Sequence, residues 1–143
     1  MKTYLDSSAL VKLYVPEKES AALSQWIIGK SISFTPFHEL EVKNAIRLKC
    51  FRDPSLTDLC QKVTALIDSD LENGILFRPT LIWADIFKLS VQLSVLHTSD
   101  IGCRSLDILH VAAAKAGDYK NFITYDDRQA KLATAAGLKT LRI

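Results

Sequence analysis

Cysteine, glycine and proline are all scarce in this chain, and each scarcity closes off a class of protein. The three cysteines, Cys50, Cys60 and Cys103, are odd in number, far apart and without a Cys-x-x-Cys pair, which argues against a disulfide framework and a structural zinc site. That usage suits a reducing cytoplasm. Five glycines and four prolines leave no room for a collagen-like, low-complexity or linker segment, and no internal repeat is visible. Charge of one sign is lacking too: 18 basic against 16 acidic residues leave +2, too little to announce a nucleic-acid binder. Long hydrophobic runs are absent as well, since Asp6 and Lys12 interrupt the apolar residues of MKTYLDSSALVKLY, so neither a signal-peptide core nor a membrane span can be drawn. What remains is 143 residues, 48% of them apolar, read as a single domain over residues 1–143 that buries its own core.

The punctuation of the chain predicts strands alternating with helices. A β-prone run from Lys2 to Leu5 ends at Asp6-Ser7-Ser8, good N-caps for a helix over residues 9–15 that Pro16 stops. An amphipathic helix over 18–28 ends at Gly29, and residues 31–34 read as a strand. Thr35-Pro36 starts a helix to about Phe51, Asp53-Pro54 breaks it, and a further helix spans 56–71. Residues 75–77 make a strand, 81–96 a helix and 97–102 a loop; Ser105 then caps a helix to Gly117 that is apolar on nearly every side, hence internal. Residues 121–124 are a strand, Asp126 and Gln129 have capping-box spacing for a helix to Ala136, and 138–141 form the last strand. This order implies an α/β protein with a largely parallel sheet covered on both faces.

In such a sheet the functional crevice lies beyond the C-terminal strand ends, where Asp6 and Asp126 both fall. Two more acids lie in apolar surroundings. Glu41 is read as sharing a helix face with Phe37, Leu40, Asn44 and Leu48, opposite to Glu39, while Asp107 opens the internal helix. Carboxylates that approach a core are paired, hydrogen-bonded, protonated or bound to a cation. Taken singly, Asp6, Asp107 and Asp126 also stand where an acid caps a helix, and Glu41 where a Glu snorkels from an apolar edge. Taken together, four carboxylates without a Cys or His quartet suit Mg²⁺ or Mn²⁺ and disfavour zinc. Such an ion activates water and stabilises charge on a phosphodiester. Ser7 and Thr124 stand beside two of the acids, placed to orient them or to serve as ordinary cap and strand hydroxyls.

The stretches YLDSSALVKLYV, TPFHELEVKNAIRL, CRSLDILHVAAA and FITYDDRQAKLA resemble, in order, four successive blocks of PIN domains, especially the VapC-like toxins of bacterial toxin–antitoxin pairs. The resemblance carries that family's four acids onto Asp6, Glu41, Asp107 and Asp126 as catalytic and metal-binding residues, and its hydroxyl positions onto Ser7 and Thr124. It implies a three-layer αβα PIN-like fold with a mainly parallel central sheet and Mg²⁺- or Mn²⁺-dependent endoribonuclease activity. It further implies an RNA substrate, a homodimer and inhibition by a VapB-like antitoxin. Residues 53–96 match only in helical character.

Two other functions compete. One is an interaction module that keeps the fold without turnover. The other is an acidic phosphotransfer protein such as a receiver domain or an aspartate-nucleophile phosphatase, but the latter wants a second Asp two residues after the first, where this chain has Ser8. His38, His97 and His110 form no zinc-helix motif and read as structural. Arg104 is placed for an ion pair with an acid or for a phosphate, and Lys43, Arg47, Lys49 and Arg52 read as a solvated basic helix face.

Overall fold

The β-prone runs become five short strands in a computed structural model that describes Lys2–Ile143: β1 (Thr3–Leu5), β2 (Ile32–Ser33), β3 (Leu76–Phe77), β4 (Asn121–Ile123) and β5 (Lys139–Leu141). Every pairing is parallel, as the alternation of strand and helix predicts. The expected single central sheet is nevertheless replaced by two, one in the order β1-β4-β5 and one pairing β2 with β3. At two residues each, β2 and β3 offer too few backbone groups to extend a ladder beyond one another.

Among the described residues seven α-helices accompany the strands: α1 (Ser7–Tyr14), α2 (Ser20–Trp26), α3 (Pro36–Arg52), α4 (Thr57–Glu72), α5 (Trp83–Ile101), α6 (Ser105–Ala116) and α7 (Asp127–Ala135), with a 3₁₀ turn over Pro54–Leu56. The chain is thus mixed α/β. The predicted loop over 97–102 is instead the end of α5, which continues to Ile101 and stops at Gly102, a residue in the left-handed conformation (φ 75°) that glycine adopts without strain. Ser105 does not cap α6; Arg104 stands at the cap position with no side-chain bond to the helix backbone. No helix among the described residues is long and apolar enough to cross a membrane.

The chain divides into two compact units. The first comprises the chain up to Asp6 together with Thr80–Arg142, and the second Ser7–Pro79 with Ile143. In the first unit, α7 packs on β4 and β5, and α5, α6 and α7 pack on one another. Seven consecutive α6 residues, Ile108–Ala114, are buried, as its all-round apolar sequence requires. Tyr4 anchors the sheet, stacking on Phe122 at 5.5 Å between ring centroids and bonding through its hydroxyl to His110 Nδ1 at 2.8 Å. His110 is accordingly a structural histidine.

In the second unit, α1 packs against α2 and α3, and α3 against α4. Thr35 caps α3 by accepting from the His38 backbone N–H, and His38 Nδ1 accepts in return from the Thr35 N–H, a reciprocal box with histidine in the position usually held by Glu or Gln. The buried stripe of α3 is His38, Val42 and Ile46, a correction to the expected Phe37, Leu40, Asn44 and Leu48. Leu40 and Leu48 are exposed instead, 70% and 40%. Burying Val42 and Ile46 is worth about 1.5–3 kcal/mol each. Cys50 and Cys60, expected to stay unpaired, form a disulfide with Cα atoms 6.8 Å apart, because the short turn between α3 and α4 folds the end of one helix onto the start of the other.

Candidate functional site

Parallel register places the first acids. Leu5 lies opposite Ile123, and the Asp6 N–H donates to the Ile123 carbonyl at 3.1 Å, so Asp6 and Thr124 leave the sheet together at its C-terminal end. Both are buried. The Thr124 hydroxyl lies 2.7 Å from Asp6 Oδ2 and 2.7 Å from Gln129 Oε1, and accepts from the Asp126 N–H at 3.1 Å. A hydroxyl has one proton, and two acceptors face it here. Gln129 Nε2 donates to the Asp107 carbonyl at 3.4 Å, which turns Oε1 toward Thr124, so the one hydroxyl proton is shared between Asp6 Oδ2 and Gln129 Oε1.

Asp126 is the N-cap of α7, its Oδ1 accepting from the Gln129 N–H at 2.8 Å, but the reciprocal half of the expected capping box is not made, because the Asp126 N–H goes to Thr124 instead of the Gln129 side chain. Asp126 Oδ2 faces Arg104 Nη2 at 3.3 Å, and Arg104 Nε donates to Asp107 Oδ2 at 2.7 Å. One guanidinium therefore bridges two of the sequence-predicted acids. The bond it donates to Asp107, with the charges of Asp107 and Asp126, pushes the Arg104 pKa further above its ordinary range. Neighbouring Cys103 is a free thiol whose pKa is raised chiefly by burial, opposed by its bond with Thr98 and reinforced by the charge of Asp107.

Glu41 belongs to the second unit. It is half-buried at the edge of the α3 stripe and accepts a hydrogen bond from the Ser7 hydroxyl at 2.7 Å. Glu39 points elsewhere, pairing with Lys43 at 3.6 Å and with Arg78. Lys43 also reaches Asp68 at 2.9 Å, so part of the predicted basic face is neutralised locally.

Three aspartates, Asp6, Asp107 and Asp126, are thus connected through Thr124, Gln129 and Arg104. Among the described residues, however, no three His, Cys, Asp or Glu side chains are placed to share one metal ion. The oxygens gathered here are carboxylate and hydroxyl, and the Arg104 guanidinium holds one oxygen each of Asp107 and Asp126. Sequence reasoning treated Gln129 only as a cap. Its buried side chain had a signal in the sequence, since the apolar stripe of α7 (Leu132, Ala133) includes it at i−3 and i−4.

No family model and no curated protein sequence matches this chain. Its fold is similar to that of a chain in the crystal structure of VapBC2 from Rickettsia felis bound to a DNA fragment from their promoter, with a TM-score of 0.68 and 14% identity, covering 99% of this chain and 98% of that one. It is similar also to a chain in the crystal structure of FitAcB from Neisseria gonorrhoeae, with a TM-score of 0.62 and 15% identity, covering 98% and 96%. At such identities the likeness shows the fold alone.

These findings overturn the identification as a PIN-domain ribonuclease of the VapC-like kind. The matched structures are described by their complexes, one of them on promoter DNA, and by no activity of the matching chain. The four sequence blocks each combine a strand end or helix start with an acid and an apolar helical stripe. That is general α/β grammar, and it produces short matches without shared family.

Proposed function

We propose that this chain is the nuclease component of a toxin–antitoxin pair and hydrolyses RNA phosphodiester bonds with Mg²⁺ or Mn²⁺, using the acids Asp6, Asp107 and Asp126 of the first unit and Glu41 of the second. The observation that carries the proposal is the connected acidic end of the β1–β4 pair: Asp6 bonded to Thr124, Thr124 to the Asp126 backbone, and Asp126 linked to Asp107 through Arg104. When bound, the divalent ion activates water and neutralises charge on the phosphodiester. The chain's own residues supply position. Thr124 turns one Asp6 oxygen by donating to it, Gln129 fixes Asp126 by its backbone N–H, and α7 directs its N-terminus toward the same carboxylate. Glu41 is held within the second unit by its bond from the Ser7 hydroxyl.

The pair is suggested by the fold shared with chains of the VapBC2 and FitAcB structures. The partner is then a small antitoxin whose Arg or Lys side chain sets a cation against the acids. A second copy is proposed to meet this one through α5, where Phe87, Val91 and Val95 form an exposed apolar stripe at i, i+4 and i+8. Val91→Glu should turn a dimer into a monomer in sedimentation; a wild-type mass independent of concentration and equal to one chain refutes the dimer.

A second reading, an interaction module with little or no turnover, is favoured by the absence of a ready three-ligand metal group among the described residues. One assay separates the two. Incubation with structured and single-stranded RNA in Mg²⁺, in Mn²⁺ and in excess chelator should show metal-dependent cleavage, and uncleaved RNA in all three supports the module.

A further inference from the structure

We propose that the Cys50–Cys60 bond is a reversible clasp on the α3–α4 hairpin, opened and closed by thiol–disulfide exchange with an anionic low-molecular-weight thiol. The pair stands at the closed end of the hairpin, Cys50 on the last turn of α3 and Cys60 on the first turn of α4, 10 residues apart across the turn over Pro54–Leu56. A crosslink there fixes the rotational phase of α3 as well as its distance from α4. Farther along the hairpin, Val42 and Ile46 of α3 and Val63 and Ile67 of α4 are buried and Lys43 reaches Asp68, so the helices stay together when the bond opens.

Both oxidation states fit the same backbone. The Cys60 sulfur lies 3.4 Å from the Ile46 carbonyl oxygen, and the Cys50 sulfur 3.7 Å from that of Leu56. A disulfide sulfur has no proton to donate, whereas a thiol has one, so on reduction each sulfur finds an acceptor already in place. The bond also closes a short loop, and crosslinking a short loop removes less entropy from the unfolded chain than crosslinking a long one. A reduced form that keeps its partners and an oxidised form that gains little bring the couple into the range of a thiol buffer.

Access selects the sulfur that is attacked. Cys50 is half-buried and Cys60 buried, and both edge a surface groove with Arg47, Thr57, Gln61 and Asp68. The charge of Asp68 is met by Lys43, while Arg47 has no ion pair among the described residues, so the groove favours a thiol that carries carboxylates, as glutathione does. Its thiolate attacks Cys50 Sγ and forms a mixed disulfide; the Cys50–Cys60 bond breaks, and its electron pair leaves on Cys60 Sγ, which takes up a proton. A second thiolate attacks the small-molecule sulfur of the mixed disulfide, and Cys50 leaves and is protonated. Two thiols are thereby oxidised to one small disulfide, the protein gains two electrons and two protons, and the reverse sequence closes the clasp.

The test equilibrates the full chain in glutathione buffers from fully oxidised to fully reduced, quenches exchange with acid, traps free thiols with N-ethylmaleimide and reads the intact mass. Cys103→Ser, which leaves only the pair, should carry no label at the oxidised end and two at the reduced end, with the crossover inside the series; peptide mapping of the wild type should join Cys50 to Cys60 over the same range. The oxidised form should melt about 3–10 °C above the reduced one. Amides over residues 50–60 should exchange faster on reduction, while Val42, Ile46, Val63 and Ile67 keep their protection. Cys50→Ser and Cys60→Ser should melt alike in every buffer. Arg47→Gln should slow opening by glutathione about two- to fivefold at low salt and leave opening by cysteamine, a cationic thiol, unslowed. Two labels at every ratio would show that the bond does not form, and none at any ratio that it is a permanent crosslink; either overturns the clasp, as does a crossover that changes neither melting nor exchange. Equal slowing of both thiols by Arg47→Gln overturns the choice of an anionic partner.

Discussion

The acids of the two units are placed by different devices. In the first unit, Asp6 and Asp126 stand where strands end and helices begin, so the sheet register and the cap of α7 fix them. In the second, Glu41 stands in the middle of a long helix, where only the rotational phase of α3 decides what it faces. A strand-end acid stays in place as long as the hydrogen-bonded ladder does. A helix acid is displaced by any change of phase, since residues two apart point about 200° from each other. Glu39 and Glu41 illustrate the cost of that sensitivity: one meets Lys43 and Arg78, the other the Ser7 hydroxyl.

The largest expected effect breaks the first device. Asp6→Asn or Asp126→Asn should reduce metal-dependent RNA cleavage by orders of magnitude while far-UV circular dichroism and melting stay close to wild type. Asparagine keeps an N-capping oxygen for the Gln129 N–H at position 126 and an acceptor for Thr124 at position 6, so structure persists where charge is lost. Full cleavage by both variants, or by the wild type in excess chelator, removes the proposed site.

The second device is tested by its two neighbours. Glu41→Gln should cut cleavage by orders of magnitude, whereas Glu39→Gln should leave turnover unchanged and stability lower by at most about 1 kcal/mol, since it loses only partly exposed ion pairs. The reverse ranking in the same assay would show that the phase of α3 does not select the functional acid.

The difference in devices also explains what was legible in the sequence. Caps and breakers located nearly every element, and Asp6 and Asp126 were readable because a strand, an acid and a helix start follow one another there. The phase of α3 was misread: Leu40 and Leu48 drew the apolar stripe toward themselves, yet burial went to His38, Val42 and Ile46, with His38 recruited by its cap bond to Thr35. Glu41 lies beside either stripe, which is why its half-buried position survived the error. The Cys50–Cys60 bond was not legible, because it depends on how tightly the turn over Pro54–Leu56 folds α4 back on α3. Nor was the family: short blocks of shared α/β grammar suggested one that the comparisons do not support.

Between the effects on charge and the smallest effects lies the hydroxyl of Thr124. Thr124→Val keeps the shape and removes the group that meets Asp6, Gln129 and the Asp126 N–H. Leaving such buried partners unsatisfied should cost about 1–3 kcal/mol in denaturant unfolding, and Thr124→Ser should recover most of it. Equal stability of Thr124→Val and wild type would mean that the acids of the first unit are held by register alone.

The smallest effect belongs to the second unit and concerns Lys12, which pairs with Glu17 at 2.5 Å and Glu19 at 3.0 Å. Burial works to lower the Lys12 pKa, but the bonds and charges of Glu17 and Glu19 outweigh it and raise the group above its ordinary 10.5. Glu19 is lowered below its ordinary 4.5, chiefly by its bond from Lys12. A lysine whose pKa is raised in the folded state contributes stability that is complete below 10.5 and is lost as pH rises through the folded value. A glutamate whose pKa is lowered contributes above 4.5 and loses that contribution as pH falls through its folded value. Lys12→Gln should therefore melt about 1–3 °C below wild type across the neutral range, the size expected of a partly exposed pair. The deficit should narrow both in acid, below the ordinary glutamate value, and in alkali, above the ordinary lysine value, and it should shrink in high salt. A deficit that is the same at neutral pH and well above 10.5 would show that Lys12 acts through the packing of its aliphatic stem on α1 rather than through its charge.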